Sequence, residues 1–429
     1  MVKEGMTHWN SFGLRNSPPM SARSRVDAIP GPLQPVVERR RELHREPFTG
    51  ITTDGTTRAG LFTLSPTGVS TAPIAEAALG FLDGLSIEQR ERCQFSLDSN
   101  HWRSWVNVHM NFFRHGVMLE QLSTEGRQRG LDLLRTTLSA HGFSQARDIM
   151  RLNELLAIVS GRPDEYGEWP YFVSIFGNPG SEEPWGWQFD GHHLNINCVI
   201  IGDQLVMTPT FMGSEPCRVD AGPYAGTSVF DKEEARGLDL IRALDASQTA
   251  KALLRPSIQP SDLPAELRGP FDPLMQASAF MDNAVIETEG VQATDLDDAQ
   301  RRLLRTLVST YVGWTRNGHA EVKMDEVDAH LDETWFAWMG STGDGPFYYR
   351  VQSPVILIEF DHLEGIVFDN DMRTRHHVHS VVRTPNGGDY GIDLLRQHHE
   401  RYDHSTGHHV ANEHADHDHL HPHGSAGQR

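Results

Sequence analysis

Apolar positions along the chain follow a helical period and then a strand period, and this order occurs twice. Ile74, Ala78, Phe81, Leu82 and Leu85 recur at spacings that share one helical face. Leu131, Leu134 and Leu138 continue the pattern up to Gly142, and Ile149, Leu152, Leu156 and Val159 repeat it up to Gly161. Both glycines stand where a helix C-cap belongs. Strand-like segments follow at 171–176, 185–201 and 205–211, with Gly202-Asp203 as a hairpin turn. In the second half, Asp231 with Glu234 opens a helix carrying Leu238, Ile241 and Leu244, and Asp245 with Gln248 opens another. A Pro-rich stretch spans 256–273. Leu303, Leu304, Leu307, Val308 and Tyr311 then mark a further helix, and strands return at 334–339, 347–351, 355–360 and 377–384.

Runs of helices followed by runs of strands predict an α+β fold, with helical segments packed on a predominantly antiparallel sheet. A short pattern recurs at Leu85-Ser86-x-x-Gln89, Leu122-Ser123-x-x-Gly126, Leu244-Asp245-x-x-Gln248 and Leu296-Asp297-x-x-Gln300. An internal duplication would explain it. Capping boxes recurring by chance in a helical protein would too, and chance is the preferred reading. The expected organisation is an irregular arm over 1–70, a body over 71–400 and a flexible His-rich tail over 401–429. The body would divide, if duplicated, at 71–230 and 231–400.

The chain of 429 residues has ordinary globular composition, with 38% hydrophobic and 22% charged residues. No apolar run approaches the roughly 18 residues of a spanning helix, and the N-terminus lacks an apolar signal region. Three widely spaced cysteines offer neither a disulfide framework nor a paired-thiolate metal motif. Cytoplasm is the expected compartment. A net charge of −20 argues against nucleic acid and is compatible with cation binding, although a solvated acidic surface explains it more simply.

The candidate chemistry lies on three stretches. In His377-Val378-His379-Ser380-Val381-Val382-Arg383, a strand would point His377, His379 and Arg383 to one face. Two imidazoles at that spacing can ligate one ion, and Arg383 can hold a carboxylate or phosphate of a substrate. A half-exposed strand with water-facing histidines is the plainer alternative. Glu359 interrupts the apolar run Val355-Ile356-Leu357-Ile358-Glu359-Phe360. A buried carboxylate there needs a metal, an arginine or a catalytic role to offset its desolvation. In the run from Trp185 to Leu194, adjacent His192 and His193 would face opposite ways on a regular strand, and His193 is preferred as the inward one. Trp185 and Trp187 could wall a substrate pocket, though strand tryptophans more often belong to a core. From His398 to His423 stand ten histidines, a composition that takes up transition metals. No Gly-x-Ser-x-Gly elbow or Gly-rich phosphate loop occurs, and Cys198 reads as inert core.

At these residues the chain resembles the family catalogued as Domain of Unknown Function thirty-five hundred. The resemblance rests on Trp185-x-Trp187 with Gly191-His192-His193-Leu194, and on Thr208-Pro209-x-Phe211-x-Gly213-x-x-Pro216. It continues through Tyr348-Tyr349-Arg350-x-Gln352-x-Pro354, Ile358-Glu359-Phe360-Asp361 and His377-x-His379-Ser380-Val381-Val382-Arg383. It ends at Asp389-Tyr390-Gly391-x-Asp393-Leu394-Leu395. It spans about 74–399 and implies that these motifs meet in one pocket. It implies no catalytic role. Many relatives look secreted, so the compartment is not carried over.

The sequence thus predicts a metal-dependent enzyme acting on a small molecule, with neither nucleic acid nor membrane as partner. The metal ligands would be His377, His379 and one of His192 and His193, with Glu359 as fourth ligand or general base and Arg383 binding substrate. Zinc would suit hydrolysis of an anionic or carbonyl-bearing substrate, and copper or iron would suit oxidation. A non-catalytic metal-delivery protein is the contrasting class, and an organic-cofactor enzyme lined by Trp185 and Trp187 is a third.

Overall fold

The computed structural model describes residues 11–17, 19–25, 31, 34–111, 113–268 and 272–402. Among them the chain forms ten helices and one thirteen-stranded sheet, the expected α+β class. The His-rich tail lies outside the described residues from 403 onward. After α1 (Gln34–Arg45), the first half runs α2 (Ala72–Asp83), α3 (Ile87–Cys93), β1 (Gln94–Phe95), β2 (Val117–Met118), α4 (Thr124–Thr137) and α5 (Ala140–Ser160). Its strands are β3 (Phe172–Phe176), β4 (Trp185–Gly191), β5 (Leu194–Ile201), β6 (Gln204–Val206) and β7 (Thr210–Ser214). The second half repeats the order with α6 (Asp231–Ala243), α7 (Ala246–Ala252), β8 (Leu253–Arg255), β9 (Val291–Gln292), α8 (Asp298–Val312) and α9 (His319–Ala329). Then come β10 (Trp335–Gly340), β11 (Phe347–Gln352), β12 (Leu357–His362) and β13 (Val378–Arg383), with α10 (Ile392–Arg401) closing the described chain.

The sheet order, β1-β3-β4-β5-β7-β13-β12-β11-β10-β8, meets equivalent strands from either end. β1 joins β3 in parallel as β8 joins β10, and β2 and β9 pair antiparallel with those same two strands. The halves meet where β7 pairs antiparallel with β13. All four recurring tetrads are helix N-caps, because Ser86, Ser123, Asp245 and Asp297 each accept the N–H three residues on. Chance can supply four caps. The strand pairings of the two halves nonetheless match in order and direction.

Two glycines fall at equivalent places in this scheme. Gly116 precedes β2 at φ 88° and Gly290 precedes β9 at φ 99°. A Cβ on them would lie 2.4 Å from the Val173 carbonyl oxygen and 2.1 Å from that of Phe336, respectively. Only a residue without a side chain fits a left-handed conformation pressed against a neighbouring strand.

Several local expectations are corrected. The run 185–201 is a hairpin rather than one strand, broken at His192-His193. Pro209, which has no N–H to give a ladder, stands in the gap between β6 and β7 inside 205–211. Gly142 does not end a helix. It lies in the first turn of α5, where its N–H meets the Ser139 cap and an added Cβ would meet the Trp314 carbonyl oxygen at 2.3 Å. Asp231 opens α6 as expected, but as its first residue: the N-cap is Phe230 in the left-handed region, and the Asp231 carboxylate pairs with Arg218. The N-terminal arm carries α1, with Arg40 stacked over Phe113. No helix among the described residues is long and apolar enough to cross a membrane.

The two faces of the second half-sheet are covered differently. Tyr349 of β11 meets Tyr311 of α8 and the Glu233 carbonyl of α6, which marks the helical side. On the other side, Glu359, Asp361, His379 and Arg383 share a face by register and meet connecting segments rather than helices. Replacing Gly290 by Ala should cost about 1–3 kcal/mol, measured as a lower denaturation midpoint in urea at unchanged slope. A midpoint equal to wild type would mean that the strand contact is not as tight as drawn.

Candidate metal centre

Three histidines converge between β13 and the β4–β5 turn. Gly191 pairs with Leu194, so His192 and His193 are the two residues of a tight hairpin loop, and His193 adopts φ 61°. The loop is held from both sides: the His193 N–H donates to Asn107 O at 3.0 Å, and Gly213 N–H donates to His193 O at 2.8 Å. His379 lies opposite Gly213 in the β7–β13 ladder, and His377 sits two residues earlier on the same side. His193, His377 and His379 are all buried, and one ligating nitrogen from each falls within 4.8 Å of the others. This is a group that could hold a metal ion.

The hydrogen bonds fix how two of these rings present themselves. His377 Nδ1 lies 2.7 Å from the Glu364 carbonyl oxygen, which can only accept, so the proton is on Nδ1. His379 Nδ1 is bonded to an Asp272 carboxylate oxygen, and Asn107 donates to the other oxygen at 3.3 Å. Both outer nitrogens are therefore donors, which leaves lone pairs on both Nε2 atoms. Those Nε2 atoms are 3.0 Å apart. Two lone pairs at that distance repel unless a cation or a proton lies between them. Carboxylate and carbonyl partners on the outer nitrogen are the usual means of orienting metal-bound imidazoles.

Electrostatics favour the ligating form. Burial pushes the pKa of His193 and His377 well below the ordinary 6.5, and neighbouring histidines push further in the same direction. A metal needs neutral imidazole. Glu215 accepts the N–H groups of Val367, Phe368 and Ile366, while burial raises its carboxyl to about 7. It thereby anchors the loop whose Glu364 carbonyl orients His377.

The other expected residues are placed differently. His192 stacks on His193 with ring centroids 3.9 Å apart, and its Nδ1 faces Asn153 Oδ1 at 2.7 Å. It packs the ligand ring and does not join the convergent group. Glu359 lies on the His379 face of the sheet, but its carboxylate accepts Gln276 N–H at 2.9 Å, Ala277 N–H at 2.8 Å and the Tyr348 hydroxyl at 2.6 Å. It holds the segment that follows Asp272. Arg383 is fully buried between Asp389, at 2.7 Å, and Asp282, at 2.6 Å. Its charge is satisfied inside the protein. Trp185 and Trp187 are buried in the hydrophobic core at the far end of β4 from the hairpin loop. Sequence reasoning missed Asp272, Asn107, Asn153 and the Glu364 carbonyl. Asp272 lies 107 positions from its partner and carries no local signal beyond being a carboxylate between prolines.

Fold and site together define an α+β protein with one mostly antiparallel sheet and a buried three-histidine group beside its central strand pair. The chain belongs to the family described as Protein of unknown function (DUF3500), whose model matches residues 67–392. No curated protein and no solved structure matches it.

Two predictions follow from this geometry. Asp272→Asn should weaken metal binding by about 10- to 100-fold, because the amide supports the His379 tautomer and orientation less well, as read by competition with a calibrated chelator. Unchanged affinity would remove Asp272 from the site. Because the His193 and His377 imidazoles stay neutral below 6.5, bound metal should survive acidification through that pH, where a free imidazole protonates and lets go. Half-release at or above 6.5 in a pH titration would contradict the burial argument.

Proposed function

We propose that the protein binds one divalent transition-metal ion through His193, His377 and His379 and acts as a metal-dependent hydrolase on a small carbonyl-bearing or anionic substrate. The observation that supports the metal most directly is the pair of Nε2 lone pairs 3.0 Å apart, with both outer nitrogens committed as donors. Three imidazoles leave a coordination position free, and a zinc ion so held supplies an activated water at neutral pH. Asp272 and the Glu364 carbonyl keep the two β13 histidines in the ligating tautomer. His109 and Glu165 stand 3.5 Å apart beside His192, and burial lowers the pKa of that histidine to about 3, which keeps it neutral.

A second reading, a copper or iron oxidoreductase, uses the same donor set, because imidazole also suits those metals. The convergent ligands are all nitrogen, with no carboxylate among them. A non-catalytic metal carrier would instead place its capacity in the His-rich tail.

Elemental analysis of a chain ending at Tyr402 separates these readings. One tightly held ion per chain is expected, falling to near zero in His377→Ala and His379→Ala. Ester or phosphoester hydrolysis with zinc supports the first reading, and oxygen uptake only with copper or iron supports the second. Full metal content in both variants would end the metal reading at this site.

A further inference from the structure

The helical side carries a second feature that the metal centre does not use. Where the two halves meet, the turn after α4 is laced to the turn after α8. Ser139 N–H donates to Trp314 O at 2.9 Å, and Arg316 N–H donates to Thr137 O at 2.9 Å. Beside this seam lies an open depression of about 990 Å³. Its lining includes Arg135, His141, Lys232, Arg236 and Arg316, and no aspartate or glutamate. The chain as a whole has 58 acidic residues against 38 lysines and arginines. A basin of one sign is therefore opposite to the average surface.

The cations there are not consumed internally. Lys232 has no ion pair among the described residues, and Arg316 spends one side-chain N–H on the Thr136 carbonyl at 3.1 Å. Arg135 and Arg236 pair with Asp132 and Asp239 on their own helices, with side chains about half exposed, and such pairs hold an arginine weakly. His141 Nε2 is buried without a hydrogen-bond partner. The basin also receives the first turn of α5, a helix of 21 residues, with Ala140 and His141 in the lining. The Ser139 hydroxyl takes the Gly142 N–H, and the N–H groups of Ala140 and His141, without a carbonyl partner in the helix, carry its positive end. Clefts between structural units are where small ligands commonly bind.

We infer that this basin is a binding site for a small polyanion bearing two or more phosphoryl groups. Arginine forks and first-turn N–H groups match phosphate oxygens, and cations from α4, α6 and the loop after α8 surround one space. The size of the depression suits a small molecule, and the overall charge of −20 disfavours a nucleic-acid strand. The inference is independent of the metal reading.

Inorganic pyrophosphate is the probe, titrated calorimetrically into the full chain in metal-free buffer, with citrate in a parallel arm. Saturable pyrophosphate binding is expected, weakening as salt rises. Lys232→Ala combined with Arg316→Ala should weaken it by about tenfold or more, whereas Lys251→Ala, on another surface, should not. Lys232→Ala alone keeps the test valid if the double variant fails to fold, since that side chain has no internal partner to lose. Absence of binding, equal binding by the Lys232 variants and wild type, or citrate binding more tightly than pyrophosphate would each overturn the assignment.

Discussion

The antiparallel pairing of β7 with β13 is the contact on which both fold and site depend. It joins the two half-sheets, and it sets Gly213 opposite His379 while the same glycine donates its N–H to His193 O. A Cβ at Gly213 would lie 2.8 Å from His379 Cδ2 and 3.3 Å from His193 Cδ2. The absence of a side chain there is what lets a ligand from the first half approach ligands from the second. The site is thus a product of the seam between halves and belongs to neither alone.

The two halves differ in their buried polar residues. Gln188 faces Asn197 across β4 and β5, bonded at 2.6 Å, while Arg350 faces Glu359 at the matching place in β11 and β12. One half thus keeps two bonded amides there, whereas in the other Arg350 pairs with Glu289 and Glu359 accepts backbone N–H groups. On the loop-covered face of the second half, two buried arginines are paired with aspartates. Arg373 meets Asp361, and Arg383 meets Asp282 and Asp389. Breaking any one pair would strand a charge out of water at a cost of about 3–5 kcal/mol.

Much of the fold was legible in the chain because its signals are local. Capping residues at 86, 123, 245 and 297 start helices where expected, since a side-chain oxygen three residues before an N–H acts without tertiary help. The α+β class followed from the order of periods. The break at His192-His193 was not legible, because a two-residue loop without a strong turn pair looks like continuing strand. His193 rather than His192 joins the convergent group, and strand parity does not explain this. The turn, with its left-handed φ, directs the ring.

By itself the sequence determined which residue types were available and which of them share a strand face: His377 with His379, and Glu359 with Asp361. Tertiary structure decided their use. Glu359 and Arg383 became internal anchors because backbone N–H groups and aspartates from distant segments reached them first. Asp272 became the partner of His379 because a Pro-rich connection happens to end beside β13. Periodicity reports on burial along one element, whereas a ligand set depends on distances between elements. Those distances are fixed only when the two half-sheets close on each other.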